Sequence, residues 1–417
     1  MDVIKSKIKS ALNYIITFFR WVALAGITGC VGGFIGAVFH KSVEFATEIR
    51  ALDDFMIFLL PLGGLFIAML YKRYNMSENT GTNHIIDSMR TEDKVPAVIA
   101  PLIFVSTVIT HLFGGSAGRE GAALQLGGGI GSQIGRIFHL DDKDTNVIVM
   151  CGMSGVFSAL FGTPLTATMF AMGVISIGIT YYSTFVPCLV SSIAAYVISL
   201  HFGIKPFRYV LSSVPELSLN SIFYTVLLSA LCALLSIVFC VTMRRTEALY
   251  EKIKNQYVRI LTGGIIVVVL TLIVGTRDYN GIGMDVIEKA MNGDTKPAAF
   301  LLKIIFTALT IGAGYKGGEI VPTFFIGSTF GCLFGAAVGI NPGFCAAIGL
   351  VSLFCGVVNA PIAAIILSIE VFGSDGLLLF AIASSVSYML SGYYGLYRSQ
   401  KIVYSKLKTE FININAK

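Results

Sequence analysis

Charge is scarce in this chain. Asp, Glu, Lys and Arg together make up 13% of its 417 residues, where soluble globular domains carry about 25%. None of the four occurs from Thr145 to Ile204, or from Ile320 to Ile369. Roughly 20 apolar residues already cross a bilayer, so runs of this length exclude a soluble fold. With 55% hydrophobic residues, the chain reads as a polytopic membrane protein whose surroundings are the lipid bilayer. The net charge of +6 then reflects topology, and no nucleic-acid partner is expected.

Other absences narrow the reading. The eight cysteines form no CxxC pair and lie in apolar stretches, and the five histidines form no HExxH or HxxxH. Buried structural thiols are expected, with no metal site and no cofactor. No GxSxG motif appears, and no His stands close to an acidic pair inside the apolar runs. A transporter or channel is expected, not an intramembrane enzyme. A basic N-terminus (Lys5, Lys7, Lys9, Arg20) precedes apolar residues with no small-residue cleavage site, which predicts an amphipathic entry helix and not a removable signal. The positive-inside tendency places that end in the cytoplasm, and Arg398, Lys401, Lys406 and Lys408 place a short tail, 398–417, on the same side. The expectation is a multi-pass plasma-membrane protein with both termini cytoplasmic. The membrane segments show no period-two alternation, so an all-α polytopic fold is predicted.

What is present begins with apolar segments near 21–40, 55–71, 96–113, 146–161, 164–181, 183–203, 221–243, 258–275, 298–312, 321–340, 343–369 and 375–390. Several are too short to span alone, and many are broken by Gly or Pro. The 44 glycines cluster in 114–135 and 312–331, and Gly127-x-x-x-Gly131-x-x-x-Gly135 predicts close helix packing. Internal similarity is visible. GTNHIIDSM (81–89) resembles GMDVIEKAM (283–291), GREGAALQLGG (118–128) can be laid on GGEIVPTFFIG (317–327) with Glu120 on Glu319, and TPLTATMF (163–170) on APIAAIIL (360–367). A single transmembrane domain over 1–417 with two half-repeats, 21–243 and 258–397, is predicted, the charged segment Arg244–Arg259 joining them. Internal repeats are a common way for transporters to build a site at mid-membrane.

The residues that carry chemistry sit in the glycine clusters. In Gly114–Gln125, Arg119 and Glu120 lie between apolar helical runs. A solvated interfacial loop is one reading. The other is that the glycines let the backbone turn so that the free N–H groups of a following helix point into a cavity. A helix N-terminus attracts an anion without a lysine, and a Glu there competes with that anion until protonated. Gly317-Gly318-Glu319-Ile320-Val321-Pro322 repeats the pattern with Pro in the first turn. Gly81-Thr82-Asn83-His84 offers capping residues that can also present side-chain donors. Each is an ordinary cap in isolation; three in one charge-poor chain point to a dehydrated anion site.

These segments resemble the CLC family of chloride channels and anion/proton antiporters. Gly81–Ile85 stands where that family has a GSGIP-like turn, and Gly118-Arg119-Glu120-Gly121-Ala122 with Gln125 where it has GREGP and a following Gln. Gly317–Pro322 stands at its GGIFAP, and Tyr397 at its late Tyr. Thr163-Pro164-Leu165 and Asn359-Ala360-Pro361-Ile362 resemble its NAPL elements. The resemblance implies a CLC-like inverted repeat of many tilted and broken helices, in a homodimer with one anion path per subunit. Glu120 would be the gating glutamate, Thr82 a side-chain ligand and Tyr397 a hydroxyl ligand. Ile320 and Val321 would supply backbone N–H groups, the glycines Gly81, Gly118, Gly121, Gly317 and Gly318 shaping the site with Arg119, Gln125 and Pro322.

Departures bear on subtype. Gly173 and Val174 stand where the family's proton-coupled chloride exchangers carry adjacent glutamates, which would suit a passive chloride channel. Glu319 puts a carboxylate where Ile is usual, and Asn83 replaces the second Gly of GSGIP; both resemble the bacterial fluoride/proton antiporter branch. Thr82 fits neither pattern closely, that branch often having Met and chloride transporters Ser, and Val321 stands where the branch favours Thr. Fluoride is small and strongly hydrated, so replacing its water demands short, strong donors such as the Asn83 amide. The resulting expectation is halide/proton antiport with Glu120 and Glu319 moving the proton, fluoride ahead of chloride, with a passive chloride channel as the alternative.

Overall fold

A computed structural model describes residues 2–77, 81–91 and 95–417. Sixteen α-helices occur among the described residues. They are α1 (Asp2–Leu52), α2 (Leu60–Arg73), α3 (Thr82–Thr91), α4 (Ile99–Leu112), α5 (Glu120–Ile137), α6 (Asp142–Phe161), α7 (Pro164–Gly173) and α8 (Phe185–His201), followed by α9 (Leu219–Glu251), α10 (Gln256–Val274), α11 (Met284–Met291), α12 (Ala299–Gly312), α13 (Ile320–Val338), α14 (Pro342–Val358), α15 (Pro361–Phe372) and α16 (Leu377–Leu390). Seven helical stretches among the described residues are long and apolar enough to cross a membrane. Five shorter apolar helices, α4, α12, α14, α15 and α16, have 10–17 residues. At 1.5 Å per residue such a helix is at most about 26 Å long, less than the ~30 Å hydrocarbon core. A helix of this length does not cross that core alone, and any terminus left at its depth needs hydrogen-bond partners.

The eight helices before residue 202 and the eight after 218 recur in order and in neighbours. α5 packs on α6 as α13 packs on α14, and α1 lies against α6 and α8 as α9 lies against α14 and α16. This places the division in 202–218, between α8 and α9, and not in Arg244–Arg259. Half of that charged segment is the last two turns of α9 and its final residues open α10, leaving only 252–255 as a link. The register also differs from the sequence alignment in one place. α5 begins at Glu120 and α13 at Ile320, and Gly118 pairs with Gly318, so Glu120 corresponds to Ile320 and Glu319 to Arg119. The glycine triplet 127/131/135 thus recurs as 327/331/335. A Cβ on Gly127 would lie 2.2 Å from the Gly152 carbonyl oxygen, and one on Gly331 2.1 Å from that of Cys345. No side chain fits there, which is why both helix pairs use glycine.

Helix ends follow local chemistry. Asn359 takes a left-handed conformation (φ 61°) at the end of α14, and Pro361 opens α15, so the apolar run 343–369 is broken in two. Gly162 (φ 68°) and Pro164 do the same between α6 and α7. The tail is ordered: β2 (Lys401–Tyr404) pairs in parallel with β1 (Ser176–Ile177) and antiparallel with β3 (Phe411–Asn415).

Candidate functional site

The site is built where α5 and α13 begin. Gly118 N–H donates to the Gly318 carbonyl (2.6 Å) and Gly318 N–H to the Gly118 carbonyl (2.7 Å), so the two turns pair and bring the helix starts together. A Cβ on Gly318 would stand 2.4 Å from the Gly121 nitrogen; glycine is required by this approach. The first N–H groups of each helix have no intrahelical acceptor. Glu120 fills that need on both sides. Its Oε1 accepts from Arg119 N–H (3.0 Å) and its Oε2 from Val321 N–H (3.1 Å), and the residue is fully buried. A carboxylate thus lies across the positive ends of two helices.

The turn carrying Glu120 is strapped from outside the motif. His111 Nδ1 lies 2.8 Å from the Thr107 carbonyl and Nε2 3.1 Å from that of Ala117. Asn280 Nδ2 donates to the Gly114 carbonyl (3.0 Å), and Gly281 N–H to that of Gly115 (3.1 Å). Lys303, fully buried, donates to the Gly281 carbonyl (2.8 Å) and lies over the Phe325 ring. Sequence reasoning missed Lys303, although a lone lysine within the apolar run 298–312 was the available signal.

Beside this junction a cavity of about 440 Å³ opens toward half-exposed Glu247 and Arg398. Gly81, Thr82, Asn83, Gln125, Gly317, Glu319 and Tyr397 line it, with Arg244, Arg259 and Lys316 supplying positive charge. Glu120, Ile320 and Val321 are buried behind this wall. Thr82 Oγ1 and Gln125 Nε2 both donate to the Gly121 carbonyl, each at 3.2 Å. The Glu319 carboxylate lies against Gly121, where an added Cβ would be 3.2 Å from Oε2. Asn83 Oδ1 accepts from Ser399 N–H at 3.1 Å. Tyr397 is 2% exposed, and its buried hydroxyl has no hydrogen-bond partner among the described residues. Of the tyrosines near the C-terminus, Tyr393 instead bonds Ser405 (2.7 Å).

Three further residues find places. Val174 is fully buried, and the next residue, Ile175, has its carbonyl bonded by Lys401 N–H (3.3 Å) beneath the tail sheet. Pro322 lies in the first turn of α13 and packs against Gly118. Glu370 accepts from the N–H groups of Leu165 (2.9 Å) and Thr166 (2.8 Å), capping α7.

The profile of the family described as voltage gated chloride channel matches residues 63–392. The chain belongs to this CLC family. A "Chloride/fluoride channel protein" of Pseudomonas syringae pv. tomato is 33% identical over 93% of this chain and 87% of its own length. An "H(+)/Cl(-) exchange transporter ClcA" of Vibrio campbellii is 26% identical over 91% and 88%. Among solved structures, a CLC-type fluoride/proton antiporter superposes with a TM-score of 0.88 at 30% identity, covering 92% of this chain and 98% of that one. A slow cyanobacterial Cl⁻/H⁺ antiporter shares the fold with a TM-score of 0.78 at 18% identity over 89% and 94%. The fold is therefore the CLC-like inverted repeat of broken membrane helices.

Proposed function

We propose that this CLC protein is a halide/proton antiporter, fluoride ahead of chloride, with one anion path per subunit of a homodimer in the plasma membrane and both termini in the cytoplasm. The observation that carries the reading is the Glu120 carboxylate lying across the starts of α5 and α13 and taking the Val321 N–H. Ionised Glu120 occupies an anion's position. Once protonated it is a weaker acceptor, swings away, and leaves the N–H groups of the α13 start, Ile320 and Val321, to a halide. Asn83 and Tyr397 supply further donors from the cavity wall, the Tyr397 hydroxyl being uncommitted, and Thr82 joins them when its hydroxyl leaves the Gly121 carbonyl.

Glu319 is the second proton carrier. It faces the cavity, whereas Gly173 and Val174, where the chloride exchangers carry adjacent glutamates, do not line it. On the cavity's side of the membrane the proton therefore shares the opening that the anion uses. The named fluoride/proton antiporter and chloride/fluoride channel relatives support fluoride, as does the density of N–H and amide donors, which replace a tightly held hydration shell.

Purified protein in liposomes tests this, with anion efflux and proton uptake recorded together for fluoride and chloride. Uphill proton movement driven by a fluoride gradient, at a higher rate than by chloride, is expected. Anion flux that ignores a pH gradient would establish the second reading, a passive chloride channel, which the missing carboxylates at Gly173 and Val174 favour.

A further inference from the structure

The tail after Tyr397 is tied to the helix that carries Asn83. On α3, Asn83, Asp87 and Arg90 fall at intervals of four and three residues, so they share one helix face. All three meet Ser399. Asn83 Oδ1 accepts from the Ser399 N–H (3.1 Å), Asp87 accepts from the Ser399 hydroxyl, and Arg90 donates to the Ser399 carbonyl and to the Ile175 carbonyl. Ser399 is 7% exposed and the following Gln400 is fully buried, its Nε2 donating to the Val358 carbonyl (2.9 Å). The backbone at Ser399 is therefore fixed on every side.

An amide is planar, so a fixed Oδ1 also fixes the direction of Asn83's NH₂ group. Asn83 and Tyr397 line the same cavity, and only Arg398 separates Tyr397 from Ser399. A shift of Ser399 moves both walls together.

We infer that Asp87 and Arg90 are positioning residues for anion selection, acting through Ser399 to hold Asn83 and Tyr397 at a set spacing in the cavity. The inference rests on the reading of Asn83 and Tyr397 as anion donors. Neither Asp87 nor Arg90 needs to touch the anion. A donor pair held at fixed spacing discriminates between ions of different radius; a loose pair adapts to both.

The test is the ratio of fluoride to chloride flux in liposomes for Asp87→Ala, Asp87→Asn, Arg90→Met and Asn83→Ala, and for Asp87→Ala and Arg90→Met in the Asn83→Ala background. Loss of one positioning hydrogen bond is expected to change the ratio about three- to tenfold. Asp87→Ala and Arg90→Met should show that change. Asp87→Asn, which keeps an acceptor for the Ser399 hydroxyl, should stay near the parent ratio. In the Asn83→Ala background the added substitutions should change the ratio no further. The inference is overturned if Asp87→Ala and Arg90→Met keep the parent ratio while Asn83→Ala shifts it, or if their effects persist undiminished without Asn83. If Asn83→Ala itself leaves the ratio unchanged, the assignment of Asn83 as a donor fails, and this inference with it. Should Arg90→Met yield no folded protein, Ser399→Ala removes the Asp87 contact alone and carries the same expectation.

Discussion

Replacing Tyr397 with Phe should move stability and anion binding in opposite directions. The hydroxyl is buried, lacks a hydrogen-bond partner among the described residues, and lies on the cavity shared by Thr82, Asn83 and Glu319. In the anion-free protein the substitution breaks no hydrogen bond and removes an unsatisfied polar group, so stability should hold or rise by about 1 kcal/mol. With an anion bound, a hydrogen bond to a charged acceptor is lost, worth about 1.5–3 kcal/mol. Halide affinity should therefore fall roughly 10- to 100-fold. Thermal unfolding in detergent without halide, paired with calorimetric titration of fluoride and chloride, reads both quantities. A lower unfolding temperature without halide, together with affinity unchanged within twofold, would show that the hydroxyl is structural and that its place on the cavity has no bearing on the ion.

Four other outcomes follow from the same geometry. Glu319→Gln should abolish proton uptake in reconstituted vesicles while halide efflux continues. Gly331→Ala, with its Cβ 2.1 Å from the Cys345 carbonyl, should force α13 from α14 and lower the unfolding temperature by about 5 °C or more, read by fluorescence-detected melting. Glu370→Ala leaves two N–H groups of α7 uncapped, which should cost about 1–2 kcal/mol without changing the anion-to-proton stoichiometry. Val174→Glu buries a carboxylate under the tail sheet and should lower stability without conferring chloride-driven proton transport, measured in the same vesicles.

The membrane helices were legible because lipid excludes charge, and the two long charge-free stretches could not be anything else. The break at Gly162–Pro164 was legible because Gly and Pro each carry a local conformational preference, whereas the break at Asn359–Pro361 lies inside the segment read as one run, 343–369. Motif order groups Thr82, Asn83, Gln125, Glu319 and Tyr397, and one cavity wall holds them all. Helices α3 and α11 were harder to see: they are short and carry polar residues, so no apolar run marks them. Laying Glu120 on Glu319 matched identical side chains, but backbone pairing of Gly118 with Gly318 sets a register one residue different. The division between halves was misplaced because charge in 244–251 reads as a loop, whereas it is the emerging end of α9. The tail sheet was missed although Phe411-Ile-Asn-Ile-Asn415 alternates with period two. That strand pairs with β2 just before it, but β2's other neighbour, Ser176–Ile177, lies more than 200 residues earlier, and no local pattern announces such a pairing.

The central claim is that the Glu120 carboxylate and a halide compete for the N–H groups at the start of α13. Glu120→Gln is neutral at every pH, and proton and halide fluxes recorded together across liposome membranes test the claim directly. The account predicts that halide flux persists, freed from any dependence on the proton gradient, while uphill proton transport disappears. Proton transport that continues at the parent rate and stoichiometry would contradict it.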